Sequence, residues 1–329
     1  MNNLLKQRTN LFVQNRDIIK SNFRWDNSML FPLCASLYTE RDLLVDVHKV
    51  KVAKNIVKNN TGLFSNFRGT VSLVYSTMLS LEEDPDKIMK NALKAYTSLK
   101  REFWSSQYLP LSAFVMAKMV ETFDYDKISK KAKLIYQMMK NKHPFLTSSE
   151  DSGFAVIYAM SDLDVDKAVE EMERCFHLLK SNFFSKNAVQ SVSHALALGE
   201  EESEAKCNRV ISIYKGLREK GYKYGPSEEL AVLGVLALET DDVNQVINDI
   251  IKVNNFLLDN KGFGFWGVGT YQRMMYGAIL VMQEYKKYRT NNLMNLTSIN
   301  SVTSIIIAQQ IAISAAITAS VAASTSNNN

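Results

Sequence analysis

Residues 143 to 151 read His143-Pro144-Phe145-Leu146-Thr147-Ser148-Ser149-Glu150-Asp151, the densest polar cluster in the chain. An imidazole beside hydroxyls and two carboxylates could move protons or raise a nucleophile. His143, Glu150 and Asp151 are therefore the first candidates for acid–base or nucleophilic work. The same residues have a plainer use. Thr147 with Glu150, and Ser148 with Asp151, stand at the spacing of a capping box, where a hydroxyl and a carboxylate satisfy the free amides at a helix start. Arg68, within Phe64-Ser65-Asn66-Phe67-Arg68-Gly69, is the next candidate. It is expected at the start of a helix, where the dipole opposes a cation, so it calls for a compensating anion; Arg273 is the second arginine of interest.

Other patterns lead away from metals and cofactors. Asp162, Asp164, Asp166 and Glu173 track a calcium loop, but Lys167 stands where the sharp turn needs glycine. His48, His143, His177 and His194 show no zinc-ligand spacing. The glycine-rich stretch Asn260 to Gly269 lacks the Lys-Ser/Thr of a phosphate-binding loop and suits a tight connector under Phe263, Phe265 and Trp266. No cofactor is expected.

The elements that must position these residues follow a period. An apolar residue followed by a basic one recurs at Ile19-Lys20, Val57-Lys58, Leu99-Lys100, Met139-Lys140, Leu179-Lys180, Leu217-Arg218 and Ile251-Lys252, at intervals of about 40 residues, the mark of a repeat architecture. Each unit reads as a helical hairpin. In the third, Asp84-Pro85 supplies an N-cap and a first-turn proline, Met89, Ala92 and Leu99 keep the spacing of a buried helix face (helix A), and Leu111, Phe114 and Val115 mark a second helix (B) after a short connector. Acidic residues precede the A helices and basic residues close them, as helix dipoles favour. With the A helices parallel, one rim is expected to be acidic and the other basic. Lys100, Lys140, Lys180 and Arg218 on the basic rim, with Trp266 and Arg273, are the candidate binding residues.

Composition bounds the rest. The 329 residues are 46% hydrophobic and 22% charged, average for a globular protein, with a formal charge of +5 and no basic tract of the kind that binds nucleic acid. The N-terminus lacks the apolar core of a secretory signal, so a cytoplasmic location is expected. Cys34, Cys175 and Cys207 read as reduced core thiols. The organisation expected is one repeat domain over 1–290 and an uncharged tail over 291–329. The stretch 304–323 within that tail fits a disordered segment, an interaction helix or, least well because of its glutamines and hydroxyls, a membrane anchor.

The Phe64 to Gly69 segment, the Leu-Lys helix ends and the His143 to Asp151 segment together resemble the bacterial domain-of-unknown-function family 4003, over most of residues 10 to 290. The resemblance implies no activity and no catalytic residue. The chain is thus expected to be all-α, about seven hairpins forming an α/α toroid or an α-solenoid. Its leading role is a scaffold that binds a protein or peptide partner. The alternatives are an enzyme with a central cavity using His143, Glu150, Asp151 and Arg68, and a protein attached or assembled through its tail.

Overall fold

The computed structural model describes residues 1–63, 65–227, 229–264 and 267–292, with only the backbone given over 286–292. Trp266 and nearly all of the 291–329 tail lie outside the described residues. Fourteen α-helices and no strand occur among them: α1 (Asn3–Asn22), α2 (Phe31–Glu40), α3 (Val47–Asn60), α4 (Ser72–Ser80), α5 (Pro85–Glu102), α6 (Leu109–Met119), α7 (Tyr125–Lys142), α8 (Ser152–Met160), α9 (Val165–Leu179), α10 (Lys186–Leu196), α11 (Ser203–Glu219), α12 (Leu230–Leu238), α13 (Val243–Leu258) and α14 (Thr270–Asn292). The pairs α3–α4, α5–α6, α7–α8, α11–α12 and α13–α14 pack together as hairpins; odd-numbered helices are called A and even-numbered helices B.

The two kinds differ in how they are buried, and their residues say why. The A helix α5 buries Met89, Ala92, Ala95 and Leu99 along one stripe and leaves its lysines in water. In the B helices α4, α6, α8 and α12 nearly every residue is apolar or small, and every residue from Leu73 to Ser80, Leu109 to Ala117, Ser152 to Ala159 and Leu230 to Ala237 is buried. A helix apolar on all sides is stable only when covered on all sides. Its hydroxyls are accommodated by folding back on the helix itself: Thr77 donates to the Leu73 carbonyl (2.8 Å) and Ser193 to that of Val189 (2.8 Å). Caps end the helices where the residue types ask for them. Asp84 accepts from the Lys87 amide at 2.9 Å ahead of Pro85, as its sequence position predicts.

The chain divides into two compact units. Of the described residues, one takes 15–38 and 44–167; the other takes 1–14, 39–43 and those from Ala168 to Asn292. In the latter, the chain start packs on the last hairpin. Arg8, almost fully buried, donates to Glu284 (3.1 Å) and to the Thr39 carbonyl (3.1 Å) and pairs with Asp42 (3.1 Å). Phe12 packs against Phe263 and Tyr276, with ring centroids 5.8 and 5.5 Å away. The same unit holds a buried ionic knot between α9 and α11: the Lys206 ammonium lies 2.8 Å from the Glu171 carboxylate and 2.8 Å from the Gly199 carbonyl, and Ser203 donates to Glu171 at 2.7 Å. Cys175 and Cys207 are buried beside it, and Cys34 is buried in the other unit, where the loss of water pushes its thiol pKa up to about 12.

Candidate functional site

The acid–base candidates are occupied with local structure. Ser148 and Asp151 form the expected capping box: the Asp151 carboxylate accepts from the Ser148 amide at 2.8 Å, and the Ser148 hydroxyl faces the Glu150 amide at 3.4 Å. Thr147 departs from the second predicted box, donating instead to the Met139 carbonyl at 3.3 Å. The His143 amide closes the end of α7 on Met139. Arg68 corrects the expectation of a dipole-opposed cation. Its guanidinium folds back on the preceding helix, donating to the Thr61 carbonyl (2.6 Å), the Thr61 hydroxyl (3.1 Å) and the Lys58 carbonyl, so it neutralises the negative end of α3 and needs no acid. Arg273 is buried, donating to Asn254 (2.9 Å) and the Phe263 carbonyl (2.6 Å); burial lowers its pKa, and its charge ties the α13–α14 connector in place rather than facing a partner.

The basic helix ends are at the surface. Lys100 lies over the Tyr96 ring (5.7 Å), Lys140 is exposed, and Lys180 touches the His177 ring nitrogen at 2.8 Å. The acidic and basic rims are not cleanly separated, however. Asp126, at the start of α7, reaches Ser98 (2.5 Å) and Arg101 (2.9 Å) near the end of α5. Those contacts, the Ser98 bond foremost, hold its carboxyl below the usual range. The acidic start of one A helix thus meets the basic end of its neighbour.

The turns from A to B carry a feature that sequence reasoning missed. In the turns that hold Phe23, Phe67, Phe103 and Phe183 an aromatic ring goes inside. Phe67 packs edge-on to Tyr96 (5.0 Å), Phe103 edge-on to Tyr136 (5.5 Å) and Phe183 edge-on to Tyr214 (5.0 Å), always on the next A helix. Another large apolar side chain of these turns, and Phe145 of the His143 turn, stands in water. Trp25 is 94% exposed beside buried Phe23, Trp104 94% beside Phe103, Phe145 97% after His143, and Phe184 98% beside Phe183. Leu63 does the same in the Phe67 turn. Where a ring fills the inner position, packing gives the outer residue no task.

Trp25, Leu63, Trp104 and Phe145 belong to four consecutive turns of one unit. Lateral bonds join neighbours: Asp26 of the first turn pairs with Lys54 of α3 (2.7 Å), and Asn66 of the second donates to Ser105 (2.9 Å) and the Ser106 carbonyl (2.9 Å) of the third. Lys20, Arg24, Lys58, Lys100, Lys140 and Lys142 are exposed around these turns, while Asp26 is committed to Lys54 and Asp151 to the capping box. The faint sequence signal was an apolar-basic pair followed closely by two aromatics, as in Leu99-Lys100 and Phe103-Trp104.

Arg218 sits elsewhere, in a cleft of about 480 Å³ at the α11–α12 turn of the other unit, lined chiefly by Tyr214, Arg218, Tyr222, Lys223, Tyr224 and Tyr271. None of His143, Glu150, Asp151 and Arg68 lines it. Among its described lining residues two are cations and none is acidic. Gly221, at φ +83°, makes the turn that carries Tyr222 and Tyr224 into the wall. Tyr224 is fixed by donating to the Glu229 carbonyl (3.1 Å), and Tyr222 accepts from Asn255 (2.9 Å), leaving its own hydroxyl proton to give.

Among the described residues no group of His, Cys, Asp or Glu is placed to hold a metal, and no helix is long and apolar enough to cross a membrane. One curated relative, 25% identical over 334 residues and covering 97% of each chain, is "Uncharacterized protein YeaA" of Bacillus subtilis (strain 168). No solved structure matches the chain. A family model described as "Protein of unknown function (DUF4003)" matches residues 15–311, and with most of its length so matched the chain belongs to that family.

Proposed function

We propose that the protein is a cytoplasmic helical-repeat docking protein that holds a negatively charged partner against its A-to-B turns. The observation that carries this reading is the large apolar side chain left in water at five of the turns, Trp25, Leu63, Trp104, Phe145 and Phe184, beside a buried ring in all but the Phe145 turn and with exposed lysines and arginine around them. Apolar tips supply contact area and the cations supply attraction to an acidic surface. The helix layers offer less: the B helices α4, α6, α8 and α12 present almost no exposed face, and the A helices present solvated charge.

Retention on immobilised heparin, used as a generic polyanion, tests this. Lys58→Glu/Lys100→Glu/Lys140→Glu should elute at markedly lower salt than Lys87→Glu/Lys90→Glu/Lys94→Glu, which changes the net charge equally on the exposed face of α5. Equal elution of the two variants would refute the turn-edge reading.

The cavity alternative keeps one observation in its favour, the tyrosine cleft around Arg218 and Lys223, which has no acidic residue among its described lining. Its size and lining suit a small anionic ligand with a flat body. Line broadening of phenyl phosphate in NMR titrations, absent with phenol and abolished by Arg218→Ala, is the expected result; identical behaviour of phenol would remove this reading.

A further inference from the structure

We infer that the acidic partner of the turn edge is the surface of an anionic phospholipid bilayer, into whose interface Trp25, Leu63, Trp104 and Phe145 insert. The inference rests on the docking reading above and names its partner.

Shape is the first argument. The four side chains are convex tips, not the walls of a groove, and three of them are more than nine-tenths exposed. A folded protein partner would have to offer a pocket for each tip at the matching interval. A bilayer interface makes no such demand, because it deforms around any protruding ring. The residue types are the second argument. Tryptophan favours the headgroup level, where its ring meets hydrocarbon and its N–H meets water, and phenylalanine and leucine favour the acyl boundary just below.

Charge is the third. Lys20, Arg24, Lys58, Lys100, Lys140 and Lys142 flank the tips, and long basic side chains can lay their stems along apolar surface while their charged ends reach lipid phosphates. The association is peripheral: no described helix could cross the bilayer, and short turns reach only its outer layer. An RNA partner would favour cations in a continuous tract and aromatic faces laid flat for stacking, whereas here single rings project from separate turns.

The chain reports on its own insertion. Its three tryptophans are Trp25, Trp104 and Trp266, and each falls between an A and a B helix in sequence. The experiment uses the full chain with vesicles of phosphatidylcholine, alone or mixed with phosphatidylglycerol. Sedimentation measures binding, and tryptophan emission is followed with lipids brominated near the headgroup. The expected result is binding to the mixed vesicles only, a blue shift with bromine quenching, and at least about a tenfold loss of binding in Trp25→Ala/Trp104→Ala/Phe145→Ala, a ΔΔG of about 1.4 kcal/mol. Circular dichroism of that variant should match the parent, since the three side chains support no packing.

No binding to the mixed vesicles, equal binding to neutral ones, or full binding by the triple variant would each overturn the lipid assignment. Failure of the assignment is separable from failure of the docking reading. Heparin retention that depends on Lys58, Lys100 and Lys140 without vesicle binding leaves a docking edge with a soluble acidic partner; loss of both dependences ends the two together.

Discussion

Lys206→Ala is expected to destabilise the protein by about 3 kcal/mol, the lower end of the range for removing one member of a buried ion pair. Lys206 is fully buried, 2.8 Å from Glu171 and 2.8 Å from the Gly199 carbonyl. Truncation leaves the Glu171 carboxylate with Ser203 as its remaining hydroxyl donor and leaves the Gly199 carbonyl without its ammonium. Glu171 keeps some contact with water, which limits the loss. Urea unfolding at neutral pH measures it, and a change below about 0.5 kcal/mol would contradict the account.

The pH dependence follows from the same knot. Burial pushes the Glu171 carboxyl up, but hydrogen bonds from Lys206 and Ser203 and the Lys206 charge outweigh it and hold the carboxyl below its usual range. A carboxylate with a depressed folded-state pKa contributes stability above its unfolded pKa, and the contribution is lost as pH falls through the folded value. Acidification below the ordinary glutamate range should therefore weaken the parent. Lys206→Met, which keeps the packed stem and removes the donor, should lose less on acidification. A parallel acid limb in the two proteins would show that Glu171 does not depend on Lys206.

Phe67→Ala is expected to cost about 3–5 kcal/mol, the range for emptying a large aromatic site in a core. Phe67 is fully buried among Tyr96, Phe114 and Tyr75, with centroids at 5.0, 5.7 and 5.8 Å. It joins two A-to-B hairpins, so no single neighbour can collapse into the space. Trp104→Ala, in the next turn, should stay within about 0.5 kcal/mol because that ring touches water on nearly every side. Thermal unfolding of the two variants separates an anchor from a tip. A large loss at Trp104 would mean that the outer residues serve the fold, and the docking reading would lose its motive.

Much of the fold was legible before any coordinates. The succession of an A and a B helix shows in the spacing of Met89, Ala92 and Leu99 followed by that of Leu111, Phe114 and Val115. The caps at Asp84 and at Ser148 with Asp151 show because capping uses residues three positions apart. Arg68 was misread because position along the chain says which helix a residue precedes, not which helix its side chain folds back upon. Thr147 was misread for a similar reason: its hydroxyl found a carbonyl eight residues away. Arg273 looks like any surface arginine until the α13–α14 connector brings the Phe263 carbonyl over it.

Sequence by itself thus determined what depends on near neighbours: the helical class, the hairpin period, the caps and the basic residues closing most A helices. Tertiary structure alone decided which of two aromatics faces inward. Phe103-Trp104 and Phe183-Phe184 are pairs of similar hydrophobicity, and nothing within either pair ranks one ring above the other. The choice is made by Tyr136 and Tyr214, some thirty residues further on, which offer an edge to one ring and leave its partner in water.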